Sequence, residues 1–182
     1  SIRASWLRRH GDRTDLNGKT HLAYVSVGSN LGDKLENCRR AIAELRAIAE
    51  IRITGQSRFY QTEPVDFTAQ GWFVNGAVRM ETGLSPVELL DQLLMIQRKA
   101  GRPPDGPRFG PRVLDLDLLM YDDWVLEEPR LTLPHPRMHR RRFVLQPMCD
   151  IDPCIIHPTI GKDIQKLLSE LSEHGQQVVE LR

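Results

Sequence analysis

The chain is predicted to be an α+β protein, a mainly antiparallel sheet packed with helices around a ferredoxin-like split βαβ core. Three observations carry that expectation. Runs of β-formers and stretches with helical spacing follow in the order strand, helix, strand, strand, helix, strand. Both helical stretches open on start signals, and the strict βαβα alternation of a parallel α/β domain is missing. At 182 residues the chain is about one domain long, enough to bury a real core. Residues 21–182 are therefore expected to form a single domain. Residues 1–20 carry arginines but no apolar run and are expected to be a mobile extension.

Taken in order, Leu22 to Val27 is a short apolar run that reads as the first strand, and Gly28-Ser29-Asn30-Leu31-Gly32-Asp33 breaks it. That turn has neither the lysine of a P-loop nor the spacing of a dinucleotide-binding glycine motif, so it reads as a plain strand-to-helix turn. Leu35, Cys38, Ile42, Leu45 and Ile48 then recur at helical spacing, with Asp33 placed as cap. Ile51 to Thr62 reads as the second strand and Trp72 to Thr82 as the third. Between them Glu63 to Gly71 is long for a hairpin and contains both proline and glycine, which makes it a candidate binding loop. Asn75 lies inside the third strand, where asparagine is disfavoured. It is either half-exposed and structural, or its amide reads the polar edge of a heterocycle.

Ser85-Pro86-Val87-Glu88 combines a serine cap, a proline at the first helical position and a glutamate closing a capping box. Leu89, Leu93, Ile96 and Ala100 line one face of the helix that follows, and Gly101 stops it. Arg102 to Pro111 holds four prolines and two glycines and is, with Glu63 to Gly71, expected to close over the site as a lid. Val113 to Tyr121 is expected as the central strand, with Leu114, Leu116, Leu118 and Met120 toward the core. Trp124 to Leu126 reads as a short strand, and Gly161 to Leu171 as a last amphipathic helix.

The chemistry centres on Gly110 to Asp117, Gly-Pro-Arg-Val-Leu-Asp-Leu-Asp. In a strand, Asp115 and Asp117 fall on one face, where two acids repel unless a divalent metal, an arginine or a shared proton intervenes. Arg112 stands just before them. Mg²⁺ favours one or two protein carboxylates together with phosphate oxygens and water, so the pair suits a hard cation held with a polyphosphate. On the motif alone the plainer reading has the advantage: a solvent-facing strand whose acids pair with arginines.

Lysine and arginine total 25 against 24 acids, a net charge of +1, which gives bulk electrostatics no case for a nucleic-acid or membrane partner. The positive charge is local instead: Leu131 to Phe143 holds four arginines, two histidines and no acid. By default such a run is a solvated turn, with nucleic-acid binding a second possibility. Opposite a metal-loaded aspartate pair it would clamp phosphate, for which arginine's planar fork is well shaped. Cys38, Cys149 and Cys154 form no CxxC pair, which fits free thiols in a reducing cytosol, and no apolar run approaches membrane-spanning length.

Several separated motifs then agree in order. They are Gly28-Ser29-Asn30-Leu31-Gly32-Asp33, Phe59-Tyr60-Gln61-Thr62-Glu63-Pro64, Phe73-Val74-Asn75-Gly76-Ala77-Val78, and Gly101-Arg102. Gly110-Pro111-Arg112 with Leu114-Asp115-Leu116-Asp117, and Leu133-Pro134-His135 with Arg141 and Phe143, complete the set. From about His21 to about Leu171 the chain thereby resembles the 6-hydroxymethyl-7,8-dihydropterin pyrophosphokinases of folate biosynthesis. The resemblance implies a diphosphotransferase that moves the β,γ-diphosphate of ATP onto the pterin hydroxymethyl group and leaves AMP. It implies that Asp115 and Asp117 hold two Mg²⁺ ions, and that Arg102 and Arg112 act with them in catalysis. Thr62, Val65, Phe73, Asn75 and Phe143 would hold the pterin; Gln97, Arg102, Arg112, Leu118, Thr132, His135 and Arg141 would hold ATP. Small-molecule substrates, a monomer and a cytoplasmic location are expected, with neither nucleic acid nor membrane as partner.

Three positions depart from the family pattern. Gln97 stands where many members have glutamate, Pro104 where a basic residue is expected two after Arg102, and Phe109 where tryptophan is common. Arg108 would then supply the missing positive charge. Two rivals remain, another Asp-x-Asp metal-dependent nucleotide-using transferase and a ferredoxin-like module that binds RNA or a regulatory ligand. The first usually has a larger, alternating α/β domain, and the second an aromatic pattern on its sheet that the third strand here lacks.

Overall fold

A run that is apolar on both faces belongs in the middle of a sheet, and the first strand, β1 (His21–Ser29), is buried along almost its whole length. The computed structural model describes residues 18–64, 69–101, 112–172 and 175–182. After β1 come α1 (Lys34–Arg46), β2 (Ile51–Gln56), β3 (Tyr60–Thr62), β4 (Phe73–Thr82), α2 (Pro86–Lys99) and β5 (Asp115–Tyr121). A small β6 (Leu126–Glu127) and β7 (Thr132–Leu133) hairpin, a 3-10 turn at Met138–Arg140, α3 (Arg142–Ile151), α4 (Ile164–Ser169) and β8 (Val178–Glu180) complete the chain. The expected extension at residues 1–20 falls outside the described residues as far as residue 17.

The main sheet runs β5-β1-β4-β3-β8, with β2 also on β4. Because β1 is antiparallel to both β4 and β5, β4 and β5 are parallel with β1 between them. Likewise β1 and β2 are parallel with β4 between them. These are two interleaved split βαβ units, the predicted α+β architecture. One sheet face packs on α1 and α2 through Val25, Val27, Ile42, Leu45, Leu89, Leu93, Leu116 and Leu118. The other packs on α3 and α4 through Tyr24, Ala77, Met120, Val144, Leu145, Met148 and Ile164.

The helix starts are those the sequence marks. Asp33 accepts a hydrogen bond from the Glu36 amide at 3.2 Å, and Ser85 with Glu88 forms a complete capping box. Gly101, with φ of +98°, follows the end of α2 in a conformation that side chains disfavour.

Four expectations are corrected. Among the described residues the strand carrying the aspartates is an edge strand, paired in the sheet with β1 alone, because the α2 crossover carries the chain past β1 instead of between existing strands. Its register shifts opposite Tyr24 and Val25, leaving Leu119 as an extra residue. That bulge turns Met120 to the α3 side, away from Leu114, Leu116 and Leu118. The expected second strand is broken at Ser57 to Phe59 into β2 and β3, which pair with successive stretches of β4. Trp72 lies just outside β4 and is 37% exposed. Helix α3, β7 and β8 were not expected. The first begins in the arginine run without a side-chain cap and contains Pro147, so it offers neither a start signal nor an uninterrupted pattern.

Candidate active site

Antiparallel register turns a list of polar residues into rows. Asp115 pairs with Gly28, Gly28 with Asn75, and Asn75 with Tyr60, while Asp117 pairs with Ser26 and Ser26 with Ala77. Alternation then sets Asp115, Asp117, Asn75, Phe73 and Thr62 on one face of the sheet, the face that α3 covers in part. The two carboxylates stand at its edge. Arg112 Nη1 lies 3.5 Å from Asp115 Oδ1, with the two side chains 18% and 34% exposed.

Asn30 fixes the entrance to this edge. Its amide oxygen accepts the Arg112 backbone N–H at 2.7 Å, its own backbone N–H donates to the Arg112 carbonyl at 3.1 Å, and its Nδ2 donates to Gln70 Oε1 at 2.7 Å. The turn after β1 is thus a junction between the aspartate strand and the loop before β4, which is more than a plain strand-to-helix connection.

Asn75 is buried, and its Nδ2 donates to Thr62 Oγ1 at 2.5 Å. Gly28 makes its position possible: a methyl group there would collide with Asn75 Oδ1. Phe73 and Phe143 are both half-buried. Phe143 stands in the first turn of α3, and the Arg141 guanidinium carbon lies 5.4 Å from its ring centroid.

Along the outer edge of β5 an open cleft of about 250 Å³ is lined by Asp117, Leu118, Arg130, Thr132, His135 and neighbours. His135 is tied in by its backbone N–H to the Leu119 carbonyl at 2.8 Å, and its Nδ1 accepts the Arg137 N–H at 3.1 Å. Burial first, then Arg141 and Arg137, pushes its pKa down to about 4, against an opposing pull from Asp115. The imidazole is therefore neutral near pH 7, with the proton on Nε2 available as a donor. Gln97, expected on the nucleotide, is buried: its Oε1 accepts the Leu116 N–H at 3.1 Å and its Nε2 donates to the Leu93 carbonyl at 3.4 Å. It holds α2 to the outer edge of the aspartate strand.

The structure thus brings Asp115, Asp117, Arg112, Asn75, Thr62, Phe73 and Phe143 to one sheet face. Leu118, Thr132 and His135 meet in the adjoining cleft, and Arg141 lies beside the Phe143 ring and acts electrostatically on His135. Val65 and Arg102 lie outside the described residues, as do Pro104, Arg108, Phe109, the rest of the second expected lid and residues 65–68 of the first. Among the described residues no group of three or more His, Cys, Asp or Glu is placed to hold a metal ion. The donors at Asp115 and Asp117 are all hard oxygens, and they suit Mg²⁺ completed by phosphate and water.

Residues 24–153 match the family described as 7,8-dihydro-6-hydroxymethylpterin-pyrophosphokinase (HPPK). The chain belongs to this family. It is 42% identical over 158 residues to a 2-amino-4-hydroxy-6-hydroxymethyldihydropteridine pyrophosphokinase of Synechocystis, covering 87% of this chain and 80% of that one. A protein of the same name from Methylorubrum extorquens is 38% identical over 87% of this chain and 98% of its own. The folic acid synthesis protein fol1 of Schizosaccharomyces pombe is 38% identical over 86% of this chain, which spans only 21% of that longer protein. A crystal structure of Plasmodium falciparum HPPK-DHPS superposes with a TM-score of 0.69 at 14% identity, covering 86% of this chain and 46% of that one. At that identity it speaks for the fold alone, and it agrees with the split βαβ architecture.

Three residues of this candidate site carry no role expected from the sequence. Gly28 and Asn30 lie in the first shared motif, so a signal was present, but only the register shows what they face. Gln176, whose amide reaches the Phe143 amide, lies beyond every motif and has no sequence signal.

Proposed function

We infer that the chain transfers the β,γ-diphosphate of ATP to the hydroxymethyl group of 6-hydroxymethyl-7,8-dihydropterin, releasing AMP, in tetrahydrofolate biosynthesis. The observation that carries the reading is the row Asp115, Gly28, Asn75 across β5, β1 and β4. It sets a pair of acids suited to a metal-bound polyphosphate beside a buried amide suited to a heterocycle.

In this reading Asn75 and the backbone beside Thr62 hold the polar edge of the pterin, while Phe73 and Phe143 offer aromatic faces to its ring. Val65 contributes through its backbone. Leu118 and Thr132 face the adenosine in the cleft, and Gln97 supports the strand they flank. Neutral His135 donates from Nε2 to a phosphate oxygen, and Arg102, Arg112 and Arg141 meet the charge on the triphosphate. Asp115 and Asp117 would hold two Mg²⁺ ions, which would neutralise phosphate charge and ease loss of the hydroxymethyl proton.

The pterin oxygen attacks the β-phosphorus, the bond from that phosphorus to the α–β bridging oxygen breaks, and the electron pair leaves with AMP. The displaced proton passes to solvent, since the carboxylates of Asp115 and Asp117 would be engaged as metal ligands. Positioning and fixed charge carry the rate, as in other phosphoryl transfers.

The other Asp-x-Asp transferases are disfavoured by the antiparallel sheet, and an RNA-binding module by the buried amide and acids on its face. Among the described residues no helix is long and apolar enough to cross a membrane. A cytoplasmic monomer acting on small molecules, with neither nucleic acid nor membrane as partner, completes the reading. Phosphorus NMR of a reaction with ATP, Mg²⁺ and the reduced pterin tests it. AMP and a pterin diphosphate are expected; a build-up of ADP with a monophosphorylated pterin would overturn it.

A further inference from the structure

The first amides of a helix have no partner within the helix and need one from outside. In α3 the cap residue Arg141 makes no side-chain capping bond, yet the Phe143 N–H is satisfied: it donates to Gln176 Oε1 at 3.2 Å. The same amide group turns its Nε2 to the Glu63 carbonyl. Glu63 directly follows Thr62, so one side chain joins the strand end that carries Thr62 to the helix turn that carries Phe143.

Gln176 is held in place by the strand that follows it. Val178 pairs with Thr62 and Glu180 with Tyr60. The Glu63 N–H donates to the Gln177 carbonyl at 3.0 Å, and the Gln177 N–H returns a bond to Glu63 Oε2 at 3.1 Å. Farther along, the Leu181 N–H donates to the Phe59 carbonyl at 2.9 Å and Arg58 Nη1 lies 2.8 Å from Glu180 Oε2. On the helix side, Arg142 Nη2 donates to the Leu171 and Ser172 carbonyls at 3.4 and 3.2 Å. The C-terminal segment therefore grips both β3 and the start of α3, and Gln176 is the point where the two grips meet.

We propose that Gln176 is a positioning residue for the pterin: its amide sets the separation between the Thr62–Glu63 wall and Phe143, and with it the width of the ring slot. This rests on the pterin reading above. A glutamine suits the task because one planar group offers a donor and an acceptor in opposite directions. Neither bond reaches the proposed phosphate groups, so the effect should fall on the pterin and spare the nucleotide. Phe143 sits in the second helical position, where a displaced first turn would tilt its ring directly.

Calorimetry on the full chain with Gln176→Met, which keeps length and loses both bonds, tests the idea. Pterin binding in the presence of Mg²⁺ and a non-hydrolysable ATP analogue should weaken about tenfold, the effect of one to two hydrogen bonds. Binding of the nucleotide analogue alone should stay within about twofold, because a general loosening of the fold would weaken both ligands. Unchanged pterin affinity, or equal losses for both ligands, would overturn the proposal. Amide exchange on the unaltered protein gives an independent check that does not depend on the variant folding. The Phe143 amide should be protected together with the Glu63 and Gln177 amides, and exchange at the rate of an uncapped first turn would refute the bridge. If the unaltered protein binds the nucleotide but no pterin, the pterin reading itself fails and this inference with it, an outcome distinct from equal binding by both proteins.

Discussion

Gly28 shows how one absent side chain shapes a site. Its place in β1 lets the Asn75 amide lie across it, and Asn75 is itself held by Thr62. Gly28→Ala should therefore displace the amide from its place over β1 while leaving the core intact. Pterin affinity is expected to fall about tenfold, the worth of a misplaced buried hydrogen bond, with little change in the thermal midpoint. Calorimetry beside thermal melts would check both halves. Asp117 gives the opposite case, a side chain whose loss should not harm the fold. Removing one of two neighbouring acids lowers repulsion, so Asp117→Ala should keep or slightly gain stability. Turnover should drop by roughly two orders of magnitude or more if the acid holds a catalytic cation. A variant that still turns over ATP in a Mg²⁺-dependent way at near-normal rate would remove Asp117 from that role.

At the scale of elements, the aspartate strand is an edge strand, and an edge leaves outward N–H groups to be satisfied. Gln97 from α2 takes one of them, the Leu116 N–H, within a buried environment. Gln97→Leu would leave that donor without its acceptor and should destabilise the protein by about 1–3 kcal/mol. Urea unfolding measures it, and a loss near zero would mean that water reaches the strand edge. Helix α3 illustrates why some elements were not legible in the sequence. Its start has no cap of its own and Pro147 interrupts it; it is held instead by Gln176, more than thirty residues away. By contrast α1 and α2 announce themselves, because Asp33 and the Ser85–Glu88 box are local devices.

For the whole molecule, three histidines tie stability to pH: His135, whose pKa is pushed down to about 4, and the neighbouring pair His139 and His157. Burial first, then His139, lowers the pKa of His157; burial first, then Arg140, lowers that of His139. The rings stand 6.0 Å apart, and His157 Nδ1 accepts from the Ile160 N–H at 3.2 Å, which requires that nitrogen to be unprotonated. All three residues resist protonation in the folded state and take it up freely when unfolded. Stability is then full above the unfolded value of about 6.5 and is lost as the pH falls below it. Denaturation midpoints should decline between about pH 7 and pH 5, with a shallower slope in His157→Asn. Equal slopes in the two proteins would show that His157 does not contribute.

The order of elements from β1 to β5, apart from the break between β2 and β3, and the caps of α1 and α2 were legible in the chain itself. Alternating apolar residues, capping boxes and short motifs are local, and each acts over a few residues whatever surrounds it. Thus Asp115 and Asp117 share a face by strand geometry alone. What only the tertiary structure decided is non-local. It puts the aspartate strand at the edge of the sheet instead of its centre, and it turns Met120 to the opposite face through the bulge at Leu119. It also sets Gly28 between Asp115 and Asn75, and joins Gln176 to both Phe143 and Glu63. Strand order and register follow from which surfaces close together and which backbone groups must then find partners, so they arise only once distant parts of the chain are packed.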